Sequence, residues 1–197
     1  MLAVIVEGSY QKALKTIQKA NECCEIIEFR IDLMSNYDRE SIAKLFDKCN
    51  IPVIFTLRRI SEGGDFSGKE IEREKIILDL LSLCPEYIDI EHDITFRKKI
   101  PTTQKVIISY HNLKHTPCSI QSIYNDMQKL EGDIYKISCY ANSPLDSLRM
   151  LECVKKNENL AGMCTGKHGT ITRILGPVVG SVITYAPNSK KEGVFCG

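Results

Sequence analysis

Two residues of this chain interrupt apolar segments at positions that could support covalent chemistry. Lys136 lies within IYKISCY, and His111 ends the segment IISYH. Lysine is rarely buried, and a desolvated, neutral amine attacks carbonyl carbons to form Schiff bases. Histidine exchanges protons near neutral pH, which suits a general base. The residues alone leave two other interpretations open, a strand-end lysine that reaches solvent and a histidine with a structural role.

Five further charged residues accompany them. Glu28 and Arg30 alternate with apolar residues in EFRID, so they share one face of a predicted strand. Arg58 ends an apolar run, and Glu62 precedes two glycines in the following loop, where it either orients a histidine or is a solvated acid. Arg173 lies in TGKHGTITR, where a flexible loop opens a predicted helix, which suits binding an anion.

Eight short apolar runs predict the strands that must position these residues, each buried on both faces. They are 2–8, 26–32, 52–58, 87–93, 105–111, 134–140, 159–166 and 180–186. Segments with helical periodicity separate most of them, at 10–21, 38–49, 69–84, 118–130, 144–156 and 170–179. The connection after the fourth strand is shorter and less periodic.

This alternation of strands and helices predicts an α/β fold. It permits either a doubly wound open sheet or a (βα)8 TIM barrel. Eight strands without a glycine-rich dinucleotide fingerprint after the first favour the barrel. In such a barrel the site lies at the carboxyl ends of the strands, where most of the candidate charges fall.

Composition places the chain among ordinary globular proteins. The 197 residues are 43% hydrophobic and 26% charged, and their formal net charge is +1. We therefore expect one domain over residues 1–197, with no attraction to nucleic acid or to anionic membranes. No apolar run approaches the length of a membrane span, and the first residues do not resemble a signal peptide. We accordingly expect a cytoplasmic location.

The cysteines and histidines do not predict a metal site. The nine cysteines are irregularly spaced and form no CxxC pair, so they are interpreted as reduced thiols that mostly pack. His92 lies between Glu91 and Asp93. Consecutive residues of a strand point to opposite faces, which argues against these three residues as ligands of one ion.

Five motifs together are similar to one family. EFRID, the TLRR…EGG segment, SYH, the KIS strand and a G-x-x-G-x-x-T-R segment occur in the order and approximate spacing of type I 3-dehydroquinate dehydratases. The chain resembles that family over essentially its whole length. The resemblance implies a (βα)8 barrel that removes water from 3-dehydroquinate, a shikimate-pathway intermediate of aromatic amino acid biosynthesis. The product is 3-dehydroshikimate, and the lyase works through an imine without metal, nucleotide or other cofactor.

The same resemblance assigns roles to individual residues. Lys136 matches the Schiff-base lysine, His111 the histidine that takes the proton beside the imine carbon and helps the hydroxyl leave, and Glu62 the acid that holds this histidine. The remaining four residues match substrate-binding positions: Glu28 and Arg30 at the ring hydroxyls and carbonyl, Arg58 in the pocket wall, and Arg173 toward the substrate carboxylate.

The end of the chain departs from the family pattern. The family has a Ser-Ala-Pro-Gly-Gln stretch in the loop after the last strand, whereas this chain ends in Val-Phe-Cys-Gly. The closing Gln and the eighth helix are therefore expected to be missing, as in an N-terminal piece of a longer protein. The family is often dimeric, so a homodimer is an expected partner. A fused shikimate dehydrogenase domain is a further expectation.

Two other functions compete with this interpretation. A class I aldolase would use the same lysine but break a carbon–carbon bond, and a retro-aldol assay separates the two. A non-catalytic barrel fragment is the other alternative. The joint presence of Lys136, His111 and Glu62 argues against it.

Overall fold

The computed structural model describes residues 1–35 and 38–186, in which strands and α-helices alternate. The strands are β1 (Leu2–Gly8), β2 (Ile26–Met34), β3 (Val53–Thr56), β4 (Tyr87–Glu91), β5 (Lys105–Asn112), β6 (Ile134–Tyr140), β7 (Leu160–Thr165) and β8 (Thr184–Ala186). The α-helices are α1 (Tyr10–Cys23), α2 (Arg39–Phe46), α3 (Glu70–Leu80), α4 (Ile120–Gln128), α5 (Pro144–Lys156) and α6 (Thr170–Val179).

The predicted elements are confirmed in type and order. The less periodic connection after the fourth strand contains one regular element, the 3-10 turn Arg97–Lys99. The last strand was predicted to begin at Gly180 but begins at Thr184. Gly180 instead ends α6 in the left-handed region, with φ +116°, and donates its N–H to that helix. The expectations about the closing loop and last helix concern residues 187–197, which lie outside the described residues.

The chain divides into two compact units, an N-terminal unit of residues 3–106 and a C-terminal unit of residues 1–2 and from 107 onward. In the N-terminal unit β1, β2, β3 and β4 lie side by side and parallel in chain order. Phe29 and Phe55 meet edge to face, with ring centroids 5.5 Å apart, and Phe46 packs on Phe55 at 5.6 Å. This aromatic cluster, in which Phe29 and Phe55 are fully buried, joins α2 to the sheet.

In the C-terminal unit β5, β6 and β7 are parallel neighbours. The register places Ser109 opposite Lys136 and His111 opposite Ser138. The helix that follows β6 starts with a capping box in which Ser143 and Asp146 bond to each other's backbone N–H groups. Its first residue is Pro144, whose missing N–H is not needed there. These local signals explain why α5 has the predicted bounds.

Burial changes the acidity of the thiols in the C-terminal unit. Cys139 on β6 and Cys164 on β7 are buried, and burial raises their pKa to about 12 and about 11. The described cysteines are free thiols, as the spacing predicts. No helix within residues 1–35 and 38–186 combines the length and the apolar character needed to cross a membrane.

We predict that Gly162→Ala destabilises the protein whereas Gly176→Ala does not. A Cβ at Gly162 would lie 2.4 Å from Val154 Cγ2 and 3.0 Å from Met150 Sδ, so β7 and α5 would have to separate. Such overpacking costs about 1–3 kcal/mol of unfolding free energy. At Gly176 in α6 the nearest atom is 3.4 Å away, and alanine there should leave stability unchanged or raise it by about 0.5–1 kcal/mol. Urea denaturation measures both, and equal midpoints would contradict the close packing of β7 on α5.

Candidate functional site

Charged side chains converge where β2 and β3 end in the N-terminal unit. Glu28 is buried and accepts a hydrogen bond from Thr56 Oγ1 at 2.7 Å. Arg30 is also buried, and its Nε and Nη2 donate to the two carboxylate oxygens of Asp32 at 3.0 and 2.7 Å. The hydrogen bonds between Arg30 and Asp32 agree with the alternation in EFRID, which predicts that these two residues share one face of β2 with Glu28. The bidentate pair fixes the guanidinium plane of Arg30.

Arg58 is held by two acids from two different strands. Its Nη2 donates to Asp89 Oδ2 at 3.0 Å, and its backbone N–H donates to Asp32 Oδ1 at 3.3 Å. Both Arg58 and Asp89 are buried. Sequence reasoning missed Asp89, although an aspartate between two isoleucines in YIDIE is a detectable signal. Buried arginines need such partners because an uncompensated charge is costly inside a protein.

Glu62 reaches the site on a loop that folds back over the end of β3. It ends a 3-10 turn, Ile60–Glu62, and Gly63 follows in the left-handed region with φ +78°. A Cβ at Gly64 would lie 2.0 Å from Arg58 O, so only glycine permits this close return. Phe66 N–H then donates to Arg58 O at 3.1 Å. The pair of glycines is thus the structural reason why the Glu62 side chain is buried rather than solvated.

Both acidic and basic side chains influence the carboxyl group of Glu62. Burial and the neighbouring charge of Glu91 raise its pKa from 4.5 to about 8, against the opposing effect of Arg58 and Arg59. Asp93 raises it further. A carboxyl group with this pKa takes up and releases protons close to neutral pH.

Three side chains lie around Glu62, and two of them, His92 and Asp93, are expected from the sequence to point to opposite faces of a strand. Its Oε1 lies 3.7 Å from Arg59 Nη2 and 3.8 Å from His92 Nδ1. The strand ends at Glu91, so the alternation of faces does not extend to His92 and Asp93, and these two residues lie with Glu62 within 4.8 Å. Arg59 forms an ion pair with Asp93 and supplies positive charge to this group.

A buried arginine on α3 stabilises the neighbouring acid. Arg73 is fully buried, donates to Glu91 and to Leu57 O, and lies over the ring of Phe96. The other oxygen of Glu91 accepts the backbone N–H of Arg59 at 3.3 Å. Arg73 thus fixes the acid that holds the start of the Glu62 loop. In the sequence it resembles an ordinary surface charge of a helix, so it was not identified.

In the C-terminal unit Lys136 is buried, with 3% of its surface exposed. This excludes the interpretation of a lysine that reaches solvent. Its Nζ lies 4.4 Å from the ring centroid of Tyr185, a residue that sequence reasoning did not select. His111 lies on the adjacent strand, two residues beyond the register partner of Lys136, toward the carboxyl end. The lysine and histidine predicted to act together are thus on neighbouring strands.

Arg173 on α6 is directed toward β8. Its Nη1 donates to Tyr185 O at 3.2 Å, and its own carbonyl accepts the hydroxyl of Thr184 at 2.9 Å. Burial lowers the pKa of this guanidinium from its ordinary value. Its Nε is buried and has no hydrogen-bond partner among residues 1–35 and 38–186. A half-buried guanidinium whose Nε is buried without such a partner is suited to a carboxylate.

Comparisons with known proteins agree on one family. The chain matches the family model of type I 3-dehydroquinase over residues 1–194. It is 36% identical over 197 residues to the 3-dehydroquinate dehydratase of Methanocaldococcus jannaschii. The matched segment covers 95% of this chain and 88% of that protein.

Solved structures agree on the fold. The 3-dehydroquinate dehydratase of Aquifex aeolicus VF5 is 28% identical, with a TM-score of 0.85 over 99% of this chain and 93% of that chain. The dehydroquinate dehydratase and shikimate dehydrogenase of S. pombe is 22% identical, with a TM-score of 0.78 over 98% of this chain and 41% of that chain. These likenesses confirm the (βα)8 TIM-barrel fold that the alternation of strands and helices predicts.

We predict that replacing Glu62 changes how stability depends on pH. Because the folded-state pKa of Glu62 is about 8 against an ordinary 4.5, the folded protein binds more protons than the unfolded chain between these values. The stability contributed by Glu62 is therefore full below pH 4.5 and is lost as the pH rises through about 8. Glutamine cannot ionise, so Glu62→Gln should become progressively more stable than the wild-type protein across this window.

Urea denaturation at about pH 5 and about pH 8 tests this linkage. Glu158→Gln replaces an exposed acid in the C-terminal unit and serves as the control. A stability difference between Glu62→Gln and wild type that is the same at both pH values would contradict the raised pKa.

Proposed function

The chain belongs to the type I 3-dehydroquinase family, and on that premise we propose that it dehydrates 3-dehydroquinate to 3-dehydroshikimate through a Schiff base on Lys136. The dehydratase activity is that of a lyase of the shikimate pathway. The observation that carries the mechanism is the burial of Lys136 within a strand. A buried lysine is rare, and a desolvated amine is suited to attack a carbonyl carbon.

The first step forms the imine. The neutral amine of Lys136 attacks the ketone carbon of the substrate, a carbon–nitrogen bond forms, and the ketone oxygen leaves as water after accepting two protons. The nitrogen keeps the positive charge of a protonated imine. This cation withdraws electrons and acidifies the adjacent carbon–hydrogen bond.

His111 then moves the proton. Its imidazole removes the proton from the carbon beside the imine, and the electron pair of that bond flows to the nitrogen to give an enamine. The enamine returns the pair as the ring hydroxyl leaves, and the histidine gives its proton to that hydroxyl. Water hydrolyses the remaining imine and releases the product and the free lysine. The position of His111 beside the strand of Lys136 supports this role.

Glu62 is proposed as the acid that orients the histidine. A pKa of about 8 lets its carboxyl group exchange a proton in the range where an imidazole also does so. The position of the carboxyl group depends on the glycine loop rather than on a strand.

The arginines and Glu28 bind the substrate. Arg30 is oriented by Asp32 toward its proposed contact with ring oxygens, and Arg58 is fixed by Asp89 as part of the pocket wall. The unsatisfied, buried Nε of Arg173 supports its assignment to the substrate carboxylate. Glu28, fixed by a threonine hydroxyl, is proposed to accept a hydrogen bond from a ring hydroxyl.

We predict that borohydride reduction in the presence of 3-dehydroquinate attaches the substrate to Lys136. Peptide mapping by mass spectrometry should find the added mass on the peptide that contains IYKISCY. Lys136→Ala should give no adduct on this peptide and no turnover, because the amine that forms the imine is removed. Lys129→Ala removes an exposed lysine and should behave as wild type. A wild-type protein that turns over substrate without any adduct would overturn the Schiff-base mechanism.

We predict that His111→Ala separates imine formation from elimination. Turnover should fall by about 10²–10⁴-fold, the usual contribution of a positioned general base, while the borohydride adduct on Lys136 still forms. His115→Ala changes an exposed histidine of the following loop and is the matched control. A near-normal rate in His111→Ala would remove this histidine from the mechanism.

A further inference from the structure

The amine of Lys136 faces an aromatic ring. Its Nζ lies 4.4 Å from the centroid of Tyr185, and the two residues are only 3% and 5% exposed. The face of an aromatic ring carries partial negative charge and attracts a cation within about 6 Å. The attraction is stronger for desolvated groups, and both residues are buried.

The ring is held in place by contacts at the short strand β8. Thr184 N–H donates to Met1 O at 2.9 Å, and the Thr184 hydroxyl donates to Arg173 O at 2.9 Å. The carbonyl of Tyr185 itself accepts from Arg173 Nη1 at 3.2 Å. These bonds fix the backbone on both sides of the Tyr185 Cα, and burial of the side chain restricts reorientation of the ring relative to β6. A preorganised group stabilises charge without the cost of reorienting.

We propose that Tyr185 is a further catalytic residue of the dehydration, whose ring face stabilises the positive charge that the nitrogen of Lys136 carries in the protonated imine. The proposal rests on the Schiff-base mechanism proposed above. The nitrogen that lies over the ring in the resting protein is the nitrogen that carries the charge after imine formation. The charge returns to it when the enamine expels the hydroxyl.

The ring face, and not the hydroxyl, performs this role. Phenylalanine keeps a ring of similar face potential, so Tyr185→Phe should retain most of the activity. Leucine fills apolar volume but has no such face. In Tyr185→Leu, kcat and the amount of borohydride-trapped Lys136 adduct should both fall about 10- to 30-fold. The KM should change less, because the substrate's own polar groups are bound by other residues.

Ring fluorination separates electrostatics from packing. Phenylalanine analogues with one to five ring fluorines, incorporated at position 185, have nearly the same shape but a progressively weaker negative face. If the ring stabilises the iminium, kcat and adduct yield should fall stepwise with fluorine number relative to Tyr185→Phe. Circular dichroism and thermal unfolding of each variant verify the fold, so the series remains informative even if the leucine variant fails to fold.

Two results would overturn the proposal in distinguishable ways. Unchanged kcat and adduct yield across the fluorinated series, in a wild-type protein that does form the Lys136 adduct, would refute the role of the ring alone. Turnover by the wild-type protein without an adduct would refute the Schiff-base mechanism and the ring's role with it.

Discussion

The burial of one amine inside a parallel sheet is the constraint on which the rest of this structure depends. An amine away from water loses hydration that the protein must replace, and it gains reactivity when it is neutral. Lys136 lies on β6 between Tyr135 and Ile137 and opposite Ser109, and the aromatic face of Tyr185 meets its nitrogen. The hydrogen bonds between Arg173 and β8 fix the backbone that carries this ring.

In the N-terminal unit the loss of hydration of buried charges is compensated by ion pairs. Each buried arginine has an acid of its own: Asp32 for Arg30, Asp89 for Arg58 and Glu91 for Arg73. Such pairs are weak sources of net stability because desolvation offsets much of the attraction. Their value lies in orientation, since each pair fixes a guanidinium plane or a loop before any ligand is present.

Much of the fold follows from local signals in the sequence. The bounds of β6, α5 and α6 are those predicted, because strong β-branched runs, a capping box and a terminal glycine define them. The start of β8 was misplaced because Gly180 continues the apolar composition but adopts a helix-terminating conformation. The residue types and order also select Lys136 and His111, since charged residues inside apolar strands are conspicuous.

The partners of those residues could not be predicted in the same way. The contacts of Asp89, Arg73 and Tyr185 form only when strands and helices distant in sequence are adjacent in space. Arg73 has the pattern of a solvated helix residue, yet it is fully buried. The environment of Glu62 likewise depends on a close backbone return at Gly64, which the sequence indicates only as a flexible loop.

The buried thiols bear on the selectivity of the proposed covalent chemistry. Sulfur is ordinarily the strongest nucleophile among side chains, and a thiolate adds readily to a ketone. With pKa values of about 12 and about 11, Cys139 and Cys164 keep their protons at neutral pH, although Cys139 shares its strand with Lys136. The interior that buries Lys136 thus keeps these two sulfurs protonated, which under the proposed mechanism favours imine formation at nitrogen over addition by sulfur.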